Sequence, residues 1–159
     1  MSNDNRRKKT KRPYFIESEI KLALTVLEKL EKPLELFYYL MRKNEKTSTV
    51  IMLLSADGLE LKEMLLSEKR DSDLLVEIDK ENQIFAIACQ ETSVDEGYRF
   101  ALRLRKHLQD QGLEKLYLAE VEISSQSYSE KDVLLKLVDL YVGSVRDEKN
   151  NETVFYSFY

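Results

Sequence analysis

The chain has 159 residues, 43% of them hydrophobic and 34% charged, with a formal net charge of −4. Those proportions fit one globular domain that buries a core without disulfide or metal staples. One cysteine, Cys89, and one histidine, His107, exclude a disulfide framework and a multi-cysteine or multi-histidine metal site within the chain. No apolar run approaches the ~20 residues of a membrane span.

The first twelve residues, MSNDNRRKKTKR, hold six basic side chains and one acid, leaving 19 basic against 28 acidic side chains, or −9, on the rest. An acidic body argues against a broad or specific nucleic-acid surface. Residues 1–13 read as a basic, disordered tail able to dock an acidic partner, and 14–159 as the folded domain. With no leader pattern at its start and a lone cysteine in an apolar run, the chain reads as cytoplasmic and not transmembrane.

The segment SEIKLALTVLEKLEK places Ile20, Ala23, Leu24, Leu27 and Leu30 on one helical face. Ser18 caps a helix over 18–31, and Pro33 stops it. Its apolar stripe either packs within the fold or forms a homodimer. PLELFYYLMRK then reads as a buried strand. Leu59 to Lys69 is helical by spacing, whereas Val50 to Leu54 suits either helix or strand.

DLLVEI and IFAIAC form a hairpin across the polar turn DKENQ. Ser93 and Glu96 make a capping box for the next helix, which turns Val94, Tyr98, Ala101 and Leu108 inward and Arg99 and Arg103 outward. KLYLAEVEIS alternates as a half-buried strand, with Tyr117, Ala119, Val121 and Ile123 on one face. A helix follows, with Leu134, Leu137, Val138 and Tyr141 in register, and TVFYSFY closes as a strand. The order is helix, strand, helix, hairpin, helix, strand, helix, strand, an α+β domain with a largely antiparallel central sheet flanked by helices.

This order resembles the GGDEF domain of diguanylate cyclases, which condense two GTP into cyclic di-GMP. The stretch from Lys69 to Leu108 is similar to the family's signature hairpin, its following strand, an acid-Thr pair (here Glu91-Thr92) and an amphipathic helix. The stretch from Asp132 to Tyr156 is similar to the closing helix and last strand, with Leu134, Leu135, Asp139 and Tyr141 in matching places. The resemblance covers residues 14–159 and implies a degenerate member. The signature turn corresponds to Glu81, Asn82, Gln83, Ile84 and Phe85, of which only Phe85 agrees. Its glycines let backbone approach a nucleotide, and its acids hold magnesium. PLELFYYLMRK matches the family's first strand, whose two terminal acids fall on Leu40 and Arg42, neither of which offers a side-chain oxygen. The implied protein is not an enzyme and needs no cofactor.

The family's inhibitory site, Arg-x-x-Asp before the signature turn, has a counterpart in Arg70-Asp71-Ser72-Asp73. Two further family arginines fall on Arg99 and Arg103. Guanidinium bonds a guanine Hoogsteen edge or a phosphate bidentately, and a carboxylate such as Asp73 accepts from guanine N1–H. Arginines at i and i+4 present to one ligand. The resemblance therefore implies a cyclic di-GMP receptor that signals through an unidentified protein partner. The rival reading is a ligand-free interaction module, in which Arg99 pairs with Asp95 on the helix surface and the arginines only solubilise it.

Overall fold

The computed structural model describes residues 15–43, 47–57, 61–112 and 115–159. The expected basic tail, residues 1–13, lies outside them. Four helices and five strands follow in the order α1 (Glu17–Lys43), β1 (Thr49–Ala56), α2 (Leu61–Glu68), β2 (Asp73–Asp79), β3 (Ile84–Cys89), α3 (Val94–Asp110), β4 (Leu116–Ile123), α4 (Glu130–Arg146) and β5 (Thr153–Phe158). The strands form one sheet in the order β2-β3-β1-β4-β5. β1 runs antiparallel to both neighbours, β2 antiparallel to β3, and only β4 and β5 are parallel. The expected α+β class with a largely antiparallel sheet is what forms.

The sheet separates two cores. Ile51, Leu53, Ala86, Val121 and Ile123 face α1 and α4, and Val50, Met52, Leu54, Phe85, Ile87 and Leu118 face α2 and α3. β1 contributes to both in strict alternation, because side chains at i and i+2 share a face. Val50 to Leu54 is thus the middle of the central strand, buried on both sides.

PLELFYYLMRK is not a strand. It is the second half of α1, which runs unbroken through Pro33. Ala23, Val26, Leu30, Leu34, Phe37 and Met41 are all buried, and their spacing of three and four continues across the proline. Proline inside a helix costs about 3 kcal/mol through the lost hydrogen bond and the ring clash. Burying four large side chains beyond it, at about 1.5–3 kcal/mol each, outweighs that cost. Leu40 and Arg42 are therefore helical, with Arg42 Nη1 3.4 Å from Gln126 Oε1, and the assignment of metal places to them falls. The strand up the centre ends instead on Ser55 and Ala56, followed by Asp57.

The hairpin, the α4 face and the closing strand form where expected. The capping box is present, with Glu96 N donating to Ser93 Oγ at 3.3 Å and Ser93 N to Glu96 Oε1 at 3.2 Å. The buried face of α3 is Gly97, Phe100, Ala101, Leu104 and Leu108. Tyr98, expected inside, is 45% exposed, because the stripe that meets the sheet lies one position further round the helix. β4 is not half-buried. Tyr117, Ala119, Val121 and Ile123 do share one face, but the other face is covered by α3 and buries Glu120 and Glu122.

Candidate functional site

Arg70, Asp73, Arg99 and Arg103 line one open cavity of about 180 Å3, with Glu68, Thr92 and Glu96 on its walls and Met52, Cys89, Gly97 and Phe100 beneath. Three elements bring them together. α2 ends at Glu68, the chain turns through Asp71 and Ser72 into β2 at Asp73, and α3 starts beside the end of β3. Asp73 stands opposite Cys89 in the ladder, which sets the Arg-x-x-Asp turn against the loop from Gln90 to Ser93.

Arg70 and Asp73 form a closed bracket. Arg70 Nη2 and Nε donate to Asp73 Oδ1 at 2.9 and 3.1 Å, and the Arg70 backbone N–H donates to Oδ2 at 2.8 Å. Arg70 Nη2 also donates to Gln90 O at 2.8 Å and Thr92 Oγ1 at 2.6 Å. The Asp73 hydrogen bond is the main reason the guanidinium sits above its ordinary pKa. The Asp73 side chain is 4% exposed and that of Arg70 49%. Asp73 therefore meets the cavity through Arg70, whose Nη1 has no partner among the described residues. Thr92, one half of the acid-Thr pair, is a buried strut of this bracket.

On α3, Arg99 and Arg103 both project outward, as expected. The Asp95–Arg99 pair does not form among the described residues. Arg103 Nε lies 3.6 Å from Glu68 Oε2, and its guanidinium sits 5.7 Å from the centre of the Phe100 ring. His107 Nδ1 lies 2.8 Å from Glu68 Oε1. Glu68 is thus the residue sequence reading missed. Its place two positions before Arg70 carries no signal by itself, since only the packing of α2 on α3 sets it between Arg103 and His107. Cys89 is buried, as read from its apolar run, and burial pushes its thiol pKa up.

The hairpin turn lies on the other side of the sheet. Asp79 accepts from Asn82 Nδ2 at 2.7 Å and from Asn82 N at 3.2 Å, and the Asn82 side chain is the main cause that holds its pKa below the usual carboxylate range. Gln83 takes a left-handed φ of 52°, a conformation that costs a non-glycine residue energy. At the end of β1, Ser55 Oγ lies 2.6 Å from the Tyr141 hydroxyl. A cleft of about 890 Å3 separates this turn from α1 and α4. Magnesium takes several hard oxygen ligands, and the carboxylates of Asp57 and Asp79 at this end of the sheet both act on the Tyr141 hydroxyl. Asp79 is bound to Asn82, Ser55 to Tyr141, and among the described residues no three Asp, Glu, His or Cys side chains gather.

No protein-family model and no curated sequence matches the chain. Solved structures do. The diguanylate cyclase SiaD from Pseudomonas aeruginosa, solved in complex with its activator SiaC, superposes with a TM-score of 0.62 at 13% identity over 80% of this chain. A microbial GGDEF domain studied for its interaction with cyclic di-GMP superposes with a TM-score of 0.58 at 13% identity, over 82% of this chain and 94% of its own. The fold is GGDEF-like. The chain spans 56% of the SiaD chain. Among the described residues of this GGDEF-like domain, no helix is long and apolar enough to cross a membrane.

Proposed function

We propose that the chain is a cyclic di-GMP receptor on a catalytically inactive GGDEF-like domain, acting through a protein partner. The observation that supports this is the convergence of Arg70, Asp73, Arg99 and Arg103 on one cavity. At about 180 Å3 the cavity is smaller than the ~300–1,000 Å3 of pockets that enclose a whole small ligand. It suits one purine base, with the rest of the dinucleotide lying outward over α3. Arg70 presents Nη1 to a guanine edge while Asp73 fixes its orientation. Arg99 and Arg103 meet phosphate or the second guanine. Charge-assisted bonds contribute roughly 1.5–3 kcal/mol each, so three arginines offer about 4.5–9 kcal/mol against the roughly 8 kcal/mol of micromolar affinity, and association costs make stacking of the bases necessary as well. The reading of inactivity rests on the turn, where Glu81, Asn82 and Gln83 stand in place of a glycine pair and an acid.

Calorimetric titration with cyclic di-GMP, with GTP and magnesium in parallel, tests both halves. The reading expects dinucleotide binding that is lost in the R99A/R103A double variant, and no cyclic product from GTP. Absence of heat at tens of micromolar protein, or turnover of GTP, overturns it.

One observation favours a second reading, the ligand-free interaction module. Arg70 is already held by Asp73, Gln90 and Thr92, a bracket that secures the end of the hairpin with no ligand present. Under that reading R99A/R103A leaves partner binding intact.

A further inference from the structure

The cavity between α2, β2 and α3 is lined by as many acids as arginines, with Glu68, Asp73 and Glu96 set against Arg70, Arg99 and Arg103. A pocket built for phosphate alone would hold an excess of donors, since phosphate offers only acceptors. Matched acids and arginines suit a group whose edges carry donors and acceptors together. Guanine is such a group. One edge presents the N7 and O6 acceptors, and the other carries the N1–H and 2-amino donors. Arg70 Nη1 serves the first edge. The second edge needs a carboxylate.

Asp73 is not free for that task. Its Oδ1 accepts from Arg70 Nε and Nη2, its Oδ2 accepts from the Arg70 backbone N–H, and its side chain is 4% exposed. Glu96 closes the capping box, with Oε1 accepting from Ser93 N and Ser93 Oγ at 3.2 Å each, so moving it would release the start of α3. Glu68 is different. Its Oε1 lies 2.8 Å from His107 Nδ1. Its Oε2 has Arg103 Nε at 3.6 Å, beyond hydrogen-bond reach, and makes no hydrogen bond among the described residues. An ionised carboxylate has about four acceptor sites, so most of the capacity of Glu68 is open. Its side chain is 16% exposed, and a base in the cavity would shield it further, where a charge-assisted bond is strongest.

We propose that Glu68 is the specificity-determining residue of this cavity, its carboxylate accepting from the N1–H and 2-amino group of guanine while Arg70 Nη1 donates to the N7 and O6 edge. The proposal deepens the receptor reading and rests on it. Adenine has no 2-amino group and a bare lone pair at N1, so its entry would set that lone pair against a carboxylate. A base that lacks the donors leaves Glu68 dehydrated and unpaired, which is how a site built to bond an N–H rejects an analogue without it.

The test is calorimetric titration of the full chain and of E68Q, each with cyclic di-GMP and with its inosine analogue, cyclic di-IMP. Inosine keeps N7, O6 and N1–H and lacks only the 2-amino group. The wild-type protein is expected to bind cyclic di-GMP about tenfold or more tightly than cyclic di-IMP, the equivalent of one lost charge-assisted hydrogen bond. In E68Q the affinity for cyclic di-GMP falls by about tenfold, and the ratio between the two ligands shrinks by about fivefold, because a neutral amide oxygen accepts less strongly than a carboxylate. Equal binding of the two ligands by the wild-type protein overturns the proposal, so a variant that fails to fold does not shield it. Equal weakening of both ligands in E68Q makes Glu68 a positioning residue for Arg103 and overturns the proposal, as does unchanged affinity. Each of these outcomes leaves the receptor reading standing. No binding of cyclic di-GMP to the wild-type protein overturns both.

Discussion

The two flanks of α3 handle charge in opposite ways. Toward the Arg-x-x-Asp turn, Arg70 is bonded to Asp73, Gln90 and Thr92, and Arg103 and His107 share Glu68. Toward β4 and β5, both oxygens of Glu120 and two nitrogens of Arg105 are buried without partners. The first flank is a self-consistent polar network, in which each group's desolvation is offset by another. The second carries unmet polar groups, each of which lowers stability. The Arg-x-x-Asp corner is thus pre-organised, and the unsatisfied side is where stability has been given up.

The largest expected effect breaks this contrast at Glu120. Burial first, then the nearby Glu122 and Asp95 charges, push its pKa up to about 8. The folded state then holds a proton that the unfolded chain releases at ordinary carboxylate pH. Stability is therefore full at acid pH and falls as pH rises through the range up to about 8. The loss is on the order of a few kcal/mol, and E120Q removes the slope. Denaturant melts of both proteins on either side of neutrality check this, and equal slopes contradict it.

The next effect breaks the satisfied flank. D73A strips the Arg70 bracket of its carboxylate and lowers stability by about 1–3 kcal/mol, while cyclic di-GMP binding weakens because Arg70 loses its orientation. A D73A protein with full nucleotide affinity places the ligand elsewhere. A smaller, sign-changing effect sharpens the contrast at Gly97. A Cβ there would lie 2.7 Å from Glu120 Oε2. G97A therefore destabilises the wild-type protein. In an E120A background the clash is gone, and the same change stabilises by about 1 kcal/mol through helix propensity. The same sign in both backgrounds counts against the packing of this carboxyl on α3.

Much of this was legible from residue order. The Ser93 and Glu96 capping box, the apolar register of α4, the existence of β5, and the hairpin follow from local patterns. So do the outward arginines of α3, whose spacing of four fixes them on one side. The first helix was misread at Pro33, since a local breaker rule was set against a spacing of three and four that continues to Met41. β1 was open because a short strand buried on both faces has no alternation to read. Glu120 and Glu122 look like the solvated face of a half-buried strand, and only the packing of α3 across them shows otherwise. Glu68 and Thr92 belong to the cavity through tertiary contacts alone.

The central claim is that one cavity between α2, β2 and α3 binds cyclic di-GMP. Amide and arginine side-chain chemical shifts of the labelled protein, followed during titration with the dinucleotide, test it most directly. The account predicts saturable changes at Arg70, Thr92, Arg99 and Arg103 and little change at Asp79 to Gln83. Changes centred on the hairpin turn and its cleft, or none at all, would contradict it.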